Sequence, residues 1–239
     1  MKDNNNSEMG NLVKFLRQFK EIGTLSLIPN NLLWWCVKSI AMNDPAHNLG
    51  HVLDVVRLGN ELATKEGLDY DARLKVNLAC LFHDLGCRYN RDDHHVIGYG
   101  MCYTLLEEHW PEQFNPKEIC EIAVAVLEHR SSNKSKPSSL ISEIVSVADS
   151  GKPDILTYIK RSLQFRISRG DLENKGKETL FLEVSEHLNE KFGSSDGYHW
   201  VSYPELGKRH FSEEWGNFDI ILSDKSILLD RIESVYNKL

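Results

Sequence analysis

The 239-residue sequence predicts an all-α fold, and three observations support that prediction. Apolar residues recur three and four positions apart in successive segments, which is the spacing of one helix face. Capping residues precede several of these segments, and glycine or proline follows them. No stretch alternates apolar and polar residues between hairpin turns, so the sequence predicts no β-sheet.

Helices are predicted in order along the chain. They cover residues 12–22, 31–42, 45–65, 69–85, 94–110, 116–130, 139–150, 154–169, 177–192 and 224–238. The pairs Asp44-Pro45 and Asn115-Pro116 indicate helix starts, because a capping side chain precedes a proline in the first helical position. Residues 131–139 are predicted to form a loop, and residues 193–223 an irregular region of loop and turn.

The domain organisation follows from these elements. We expect residues 1–44 to form an N-terminal tail with helices, 45–152 a compact bundle, and 153–239 a helical extension packed on that bundle. No linker divides the chain convincingly. The last region is rich in aromatic residues, which are typical of a core or of an oligomer surface. The sequence is therefore compatible with a homo-oligomer.

Composition narrows the classes of partner. The net charge of −7, from 28 Lys and Arg against 35 Asp and Glu, argues against a nucleic acid polymer. No apolar run approaches the roughly 20 residues of a membrane span, and the start MKDNNNSEMGN lacks the apolar core of a secretory signal. Five cysteines without a CxxC pair suit reduced thiols. We therefore expect a cytoplasmic protein without a membrane partner.

Histidine and aspartate side chains continue the apolar faces of four predicted helices. They are His51, the pair His83-Asp84, His129 and Asp149. Burying an isolated carboxylate in an apolar bundle costs several kcal/mol unless a cation compensates it. Structural alternatives exist for each residue: a core histidine bonded to a neighbour, a chance His-Asp doublet, or a helix cap at Asp149. Their joint order on buried faces favours one shared metal site.

In this order and in these surroundings, residues 45–152 resemble the HD superfamily of metal-dependent phosphohydrolases, whose signature is H…HD…D. The matching segments are AHNLGHVLDVVRLGNELA around His51, LKVNLACLFHDLGC around His83-Asp84, and ISEIVSVADSGKP around Asp149. The resemblance implies a compact helical bundle of the HD-domain type, here with additional C-terminal helices. It also implies that His51, His83, Asp84 and Asp149 hold one divalent cation.

Branches of the superfamily with two metals add two histidines between the HD pair and the last aspartate. His94 in HHVIGYGM and His129 in LEHRSS stand at the matching places. The resemblance therefore implies one or two ions per chain, although some single-metal members keep similar histidines near the substrate. The chain departs from the branches that cleave cyclic dinucleotides and guanosine tetraphosphate, since it lacks a GYP-bearing run after His129 and acidic residues shortly after the HD pair.

The expected function is metal-dependent hydrolysis of a phosphomonoester or phosphodiester of a small molecule, above all a nucleotide. A divalent Mn, Fe, Co, Ni, Zn or Mg ion would supply a bound hydroxide and coordinate a phosphoryl oxygen. We expect Asp84 and His129 to be catalytic, with Asp84 orienting the water. Arg130, Lys152 and His47 are the expected substrate contacts. Two alternatives stay open: a di-iron oxygenase of the same fold, and a noncatalytic helical module that binds a metal or ligand.

Overall fold

The computed structural model describes residues 2–44, 47–130, 132–193 and 197–239, with side chains from residue 9 onward. These ranges contain helices and no strand, which confirms the predicted all-α class. Contacts divide the chain into two units, the first ending at Gly151 and the second running from Lys152 to Leu239. Among the described helices, none combines the length and the apolar character that a membrane crossing requires.

The described part of the first unit consists of α-helices and short 3₁₀ segments. The helices are α1 (Lys2–Lys20), α2 (Asn30–Ile40), α3 (Leu49–Lys65), α4 (Tyr70–Phe82), α5 (His94–His109), α6 (Pro116–Glu128) and α7 (Leu140–Ser150), and the 3₁₀ segments are Gly23–Leu27 and Leu85–Arg88. Helix α4 lies at the centre and contacts α3, α6 and α7. Every residue from Val76 to Phe82 is buried, which agrees with its apolar residues on nearly all sides.

Helix α3 begins later than the sequence pattern predicts. Asp44 is not the cap of α3, and Pro45 lies outside the described residues. Instead, the side-chain oxygen of Asn48 accepts hydrogen bonds from the backbone N–H groups two and three residues later. The proline made Asp44 the stronger signal in the sequence, although Asn48 is an equally good capping residue. The correction places His51 in the first turn of α3 and not in its second.

Helix α4 ends earlier than predicted. Its last residue is Phe82, His83 caps it, and Leu85–Arg88 continue as a 3₁₀ turn. The α-helix and the 3₁₀ turn have similar periodicities, so apolar spacing alone does not show where one ends and the other begins. The HD pair therefore lies at the junction of the two elements.

The start of α6 is confirmed. The side-chain oxygen of Asn115 accepts from the N–H groups of Lys117 and Glu118, and the Glu118 carboxylate accepts from the N–H of Asn115. This reciprocal capping box satisfies backbone donors at the helix start. Because α6 then runs without interruption to Glu128, the cap also sets the position of His129 at its other end.

The described part of the second unit contains seven α-helices. They are α8 (Ile155–Ser168), α9 (Asp171–Lys175), α10 (Lys177–Phe192), α11 (His199–Ser202), α12 (Glu205–His210), α13 (Ser212–Ser223) and α14 (Lys225–Tyr236). The prediction of an irregular region over residues 193–223 was wrong for its described part, which holds α11, α12 and α13. Trp215, Phe218 and Leu222 are buried on α13 at helical spacing. The rings of Trp215, Phe218, Phe192 and Tyr203 form an aromatic core around His199.

Candidate metal centre

His83 and Asp84 lie at the end of α4, inside the first unit. The exposed fraction is 0% for His83 and 1% for Asp84. Nδ1 of His83 donates to the backbone carbonyl oxygen of Cys80 at 2.7 Å. Nε2 of the same ring lies 3.1 Å from Asp84 Oδ2. The helix end therefore aims one ring nitrogen at a buried carboxylate and ties the other to the backbone.

Three histidines share this backbone tether. His94 Nδ1 donates to the carbonyl oxygen of Arg91 at 2.6 Å, and His129 Nδ1 donates to that of Val126 at 2.6 Å. Each bond reaches back three residues, as it does in His83. A carbonyl oxygen can only accept, so Nδ1 carries the proton, and in the neutral ring Nε2 keeps its lone pair. All three rings thus present Nε2 as a metal ligand.

His51, His83, Asp84 and Asp149 form one cluster. His51 Nε2 lies 3.2 Å from Asp149 Oδ1, 3.3 Å from His83 Nε2 and 3.5 Å from Asp84 Oδ2. His83 Nε2 lies 3.6 Å from Asp149 Oδ1. Asp149 occupies the last turn of α7, and the cap of α8 is Asp154 instead. The structure therefore brings together the four residues that the sequence proposes as ligands of one ion.

His94 and His129 form a second cluster on the other side of Asp84. Their Nε2 atoms lie 3.0 Å apart, and His94 Nε2 lies 3.7 Å from Asp84 Oδ1. Asp84 Oδ2 faces the first cluster, as its distances to His51 and His83 show. One carboxylate thus stands between two sets of ring nitrogens with one oxygen toward each. Such a shared carboxylate is a donor arrangement that suits a pair of divalent cations.

The donor atoms themselves require a positive charge between them. With Nδ1 protonated in both rings, the Nε2 lone pairs of His94 and His129 point toward each other across 3.0 Å. Within the described residues, the buried Oδ2 of Asp84 receives no hydrogen bond. Buried acceptors without a donor are costly, and a divalent cation would satisfy these nitrogens and oxygens together. The residues present therefore fit a metal centre.

The pKa shifts of the buried residues also indicate that the site needs positive charge. Burial opposes protonation of His83, but the charges of Asp84 and Asp149 outweigh it and hold the pKa of His83 well above its usual value. Burial likewise raises the pKa of Asp84, but the neighbouring His83 outweighs it and keeps that pKa below its usual range. Burial lowers the pKa of His129 to about 4, so this ring is neutral at pH 7. Without a cation, a proton on His83 balances the carboxylates.

The predicted substrate contacts occupy different surroundings. His47 lies near both clusters, since its ring centroid is 6.2 Å from those of His51 and His94, and its Nδ1 is 2.8 Å from Asp44 Oδ2. Arg130 follows His129 and donates to the backbone carbonyl of Asp92. Lys152 belongs to the second unit, where its Nζ lies 2.6 Å from Glu214 Oε1. The ammonium group that the sequence proposes as a phosphate contact is therefore paired with a carboxylate in this structure.

Two residues beside the centre were missed by sequence reasoning. Sγ of the buried Cys87 donates to Asp84 Oδ1 at 3.3 Å. Burial and the adjacent Asp84 raise the pKa of this thiol. Asn43 Nδ2 donates to the backbone carbonyl oxygens of Asp84 and His47, both at 3.0 Å. The spacing of Cys87, three residues after Asp84, was the available signal, whereas Asn43 offered none.

The segment that holds the site is similar to a known protein family. Residues 48–151 match the family described as HD domain. Among solved structures, a predicted HD superfamily hydrolase from an uncultured Thermotogales bacterium is 22% identical, with 67% of this chain and 86% of that chain covered and a TM-score of 0.45. No curated protein matches the chain. The family match spans both histidine clusters and the shared aspartate, so the segment that holds the candidate metal centre is the segment similar to the HD domain family.

Proposed function

We propose that the protein hydrolyses a phosphomonoester or phosphodiester of a small molecule, with nucleotides as the preferred class. The observation that carries this proposal is the Asp84 carboxylate, placed between the histidine pairs His51/His83 and His94/His129. Bound divalent ions at such a centre lower the pKa of a coordinated water and offset the charge of phosphoryl oxygens. His51, His83, Asp84 and Asp149 would hold one ion, and Asp84, His94 and His129 a second.

Asp84 and His129 are the residues that we assign to catalysis. Asp84 places one negative charge at the middle of the centre, where it orients the water that attacks phosphorus. His129 is fully enclosed, and its low pKa of about 4 makes it a neutral nitrogen ligand and not a proton donor at pH 7. Its proposed contribution is therefore to hold a metal ion, which would place positive charge beside the reacting phosphate.

The open side of the centre indicates where a substrate would approach. The side chains of His47, His51 and Asp149 are 19%, 18% and 23% exposed, whereas that of His83 is 0% exposed. His47, whose ring lies near both clusters, is the first proposed contact on this side. Arg130, next to His129 in the chain, is the second proposed contact. Local cations are needed here, because the chain as a whole carries a net charge of −7.

Metal analysis combined with a phosphate-release screen tests the proposal. Purified wild type, His83→Ala and Asp84→Ala are compared by elemental analysis, then assayed on nucleotides and other phosphate esters. We expect both variants to lose metal and hydrolysis. His109→Ala is the matched control, since His109 ends α5 about 22 Å along the helix from His94, and it should retain both.

Each contrary outcome has a defined meaning. Metal retention with unchanged activity in His83→Ala and Asp84→Ala would remove these residues from the site. Oxygen uptake with ferrous iron, without phosphate release from any substrate, would favour the di-iron oxygenase. Metal binding with every ligand recovered intact would favour the noncatalytic module.

A further inference from the structure

Cys87 brings a sulfur atom to the shared aspartate. The two residues are joined by the 3₁₀ turn that follows α4, in which the N–H of Cys87 donates to the carbonyl oxygen of Asp84 at 3.1 Å. Side chains three residues apart in a 3₁₀ turn lie above one another. The thiol accordingly reaches Asp84 Oδ1 at 3.3 Å and is enclosed in the protein.

The oxygen that Cys87 contacts is the one that faces the second cluster. Asp84 Oδ1 lies 3.3 Å from the thiol and 3.7 Å from His94 Nε2, which in turn lies 3.0 Å from His129 Nε2. The thiol also shares a common space with His47 and Asp84, since one ligand atom from each lies within 4.8 Å of the others. The Cys87 sulfur, an Asp84 oxygen and a His47 ring nitrogen therefore surround one small volume, and the Asp84 carboxylate connects it to the group formed with His94 and His129.

The spacing of sulfur and oxygen suits ligation of one ion. In tetrahedral zinc sites the Zn–S and Zn–O distances are about 2.3 and 2.0 Å, which separates the two ligand atoms by about 3.5 Å. The Sγ–Oδ1 distance of 3.3 Å is close to that value. The facing lone pairs of His94 and His129 are an independent indication that a cation belongs at this place.

We propose that Cys87 is a thiolate ligand of the ion held between Asp84 Oδ1, His94 and His129. The inference rests on the proposed metal centre and adds a soft donor to one of its two positions. On binding, the metal replaces the S–H proton, which passes to solvent. Because His51, His83 and Asp149 offer only nitrogen and oxygen, the two positions differ in preference. The Cys87 position selects Zn, Co or Fe over Mg or Mn.

Cobalt spectroscopy tests the ligand directly. Co²⁺ is added to the metal-free full chain of wild type, Cys87→Ser and Cys120→Ser, and absorption is recorded in the visible and near-ultraviolet. Cys120 is the control thiol, because it lies on α6 about 13 Å along the axis from His129. We expect a sulfur-to-cobalt charge-transfer band in wild type and Cys120→Ser. Cys87→Ser should lose that band and keep the visible cobalt bands, which also shows that it is folded.

The outcomes separate this inference from the proposed function. Visible cobalt bands without a charge-transfer band in wild type, or a charge-transfer band that survives in Cys87→Ser, would overturn the thiolate ligand and leave the metal centre standing. Absence of all cobalt bands would overturn both. As a second measurement, Cys87→Ser should weaken Zn²⁺ binding by on the order of tenfold or more relative to Mn²⁺. Equal losses for both metals would contradict the selective role of sulfur.

Discussion

Gly86 packs directly against the backbone carbonyl group of His94, and a Cβ atom on Gly86 would overlap that carbonyl. Gly86 belongs to the 3₁₀ turn that begins after Asp84, and His94 is the first residue of α5. The contact therefore fixes the distance between the shared carboxylate and the second histidine cluster. Glycine is needed here for close approach and not for an unusual backbone angle.

Substitution Gly86→Ala should separate these two elements. We expect the free energy of unfolding to fall by about 1–3 kcal/mol, as in overpacked cores, and metal to be lost from the His94/His129 side. Denaturant unfolding and elemental analysis measure the two effects. Gly100→Ala on α5 is the control, since nothing lies within 4 Å of its added Cβ. It should be stabilised by roughly 0.5–1 kcal/mol. Equal behaviour of the two variants would contradict the role of the close approach.

The two histidine clusters should bind metal separately. His129→Gln removes one Nε2 ligand from the second cluster, and His51→Gln removes one from the first, while both keep much of the side-chain volume. We expect each variant to bind one ion where wild type binds two, because Asp84 and the opposite cluster stay in place. Isothermal titration with Zn²⁺ and elemental analysis give the stoichiometry. Loss of all metal from a folded His129→Gln would indicate a single position instead.

The His199 side chain should make stability depend on pH. This ring is 2% exposed, and within the described residues neither of its nitrogens has a hydrogen-bond partner. Burial, with the charges of Lys191 and Lys208, lowers its pKa to about 3 from the usual 6.5. The fold thus favours the neutral ring. The associated stability is complete above about pH 6.5 and is lost as the pH falls toward 3, by roughly 1.4 kcal/mol per pH unit.

Measuring the free energy of unfolding between pH 7 and pH 4 tests this dependence. The variant His199→Phe keeps an aromatic ring beside Phe192, Tyr203 and Trp215 and removes the titrating group. The slope of its free energy of unfolding against pH should be smaller than that of wild type by the equivalent of one bound proton. If both curves fall with the same slope, protonation of His199 does not account for the loss.

The cap of α6 should contribute to stability without contributing to metal binding. Asn115→Ala removes the side-chain oxygen that accepts from Lys117 and Glu118, so we expect the free energy of unfolding to fall by about 1 kcal/mol. Urea unfolding measures this change. Metal content should stay at the wild-type level, because His129 is held at the far end of the helix by Val126. Lys117→Ala, an exposed change in the same turn, should leave both quantities unchanged.

Local signals in the sequence predicted most of the fold. The helices of the first unit were recognised because each buries a long apolar face, and Asn115 marked its helix start through contacts within four residues. Helices α11 and α12 were missed because four and six residues are too few for a clear period. Helix α13 has 12 residues with buried positions at helical spacing, and it was missed because the surrounding turn signals dominated the interpretation of this region. The start of α3 was missed because two adjacent capping signals competed.

The residues of the candidate metal centre were predicted from the sequence, but their relative positions were not. His51, His83 and Asp149 continue apolar faces, so their inward position followed from helical spacing. Which oxygen of Asp84 faces which cluster, and that Cys87 joins it, depends on the 3₁₀ turn, which apolar spacing does not reveal. The ion pair of Lys152 with Glu214 links residues far apart in the chain and had no local signal.

The bonds from Nδ1 of His83, His94 and His129 to carbonyl oxygens three residues earlier have a thermodynamic consequence. They restrict the imidazole torsions as soon as the helix termini form, so the rotational entropy of three ligands is lost during folding and not during ion capture. Ion uptake by the folded chain would therefore require little side-chain rearrangement, and its free energy would reflect mainly dehydration and coordination of the ion.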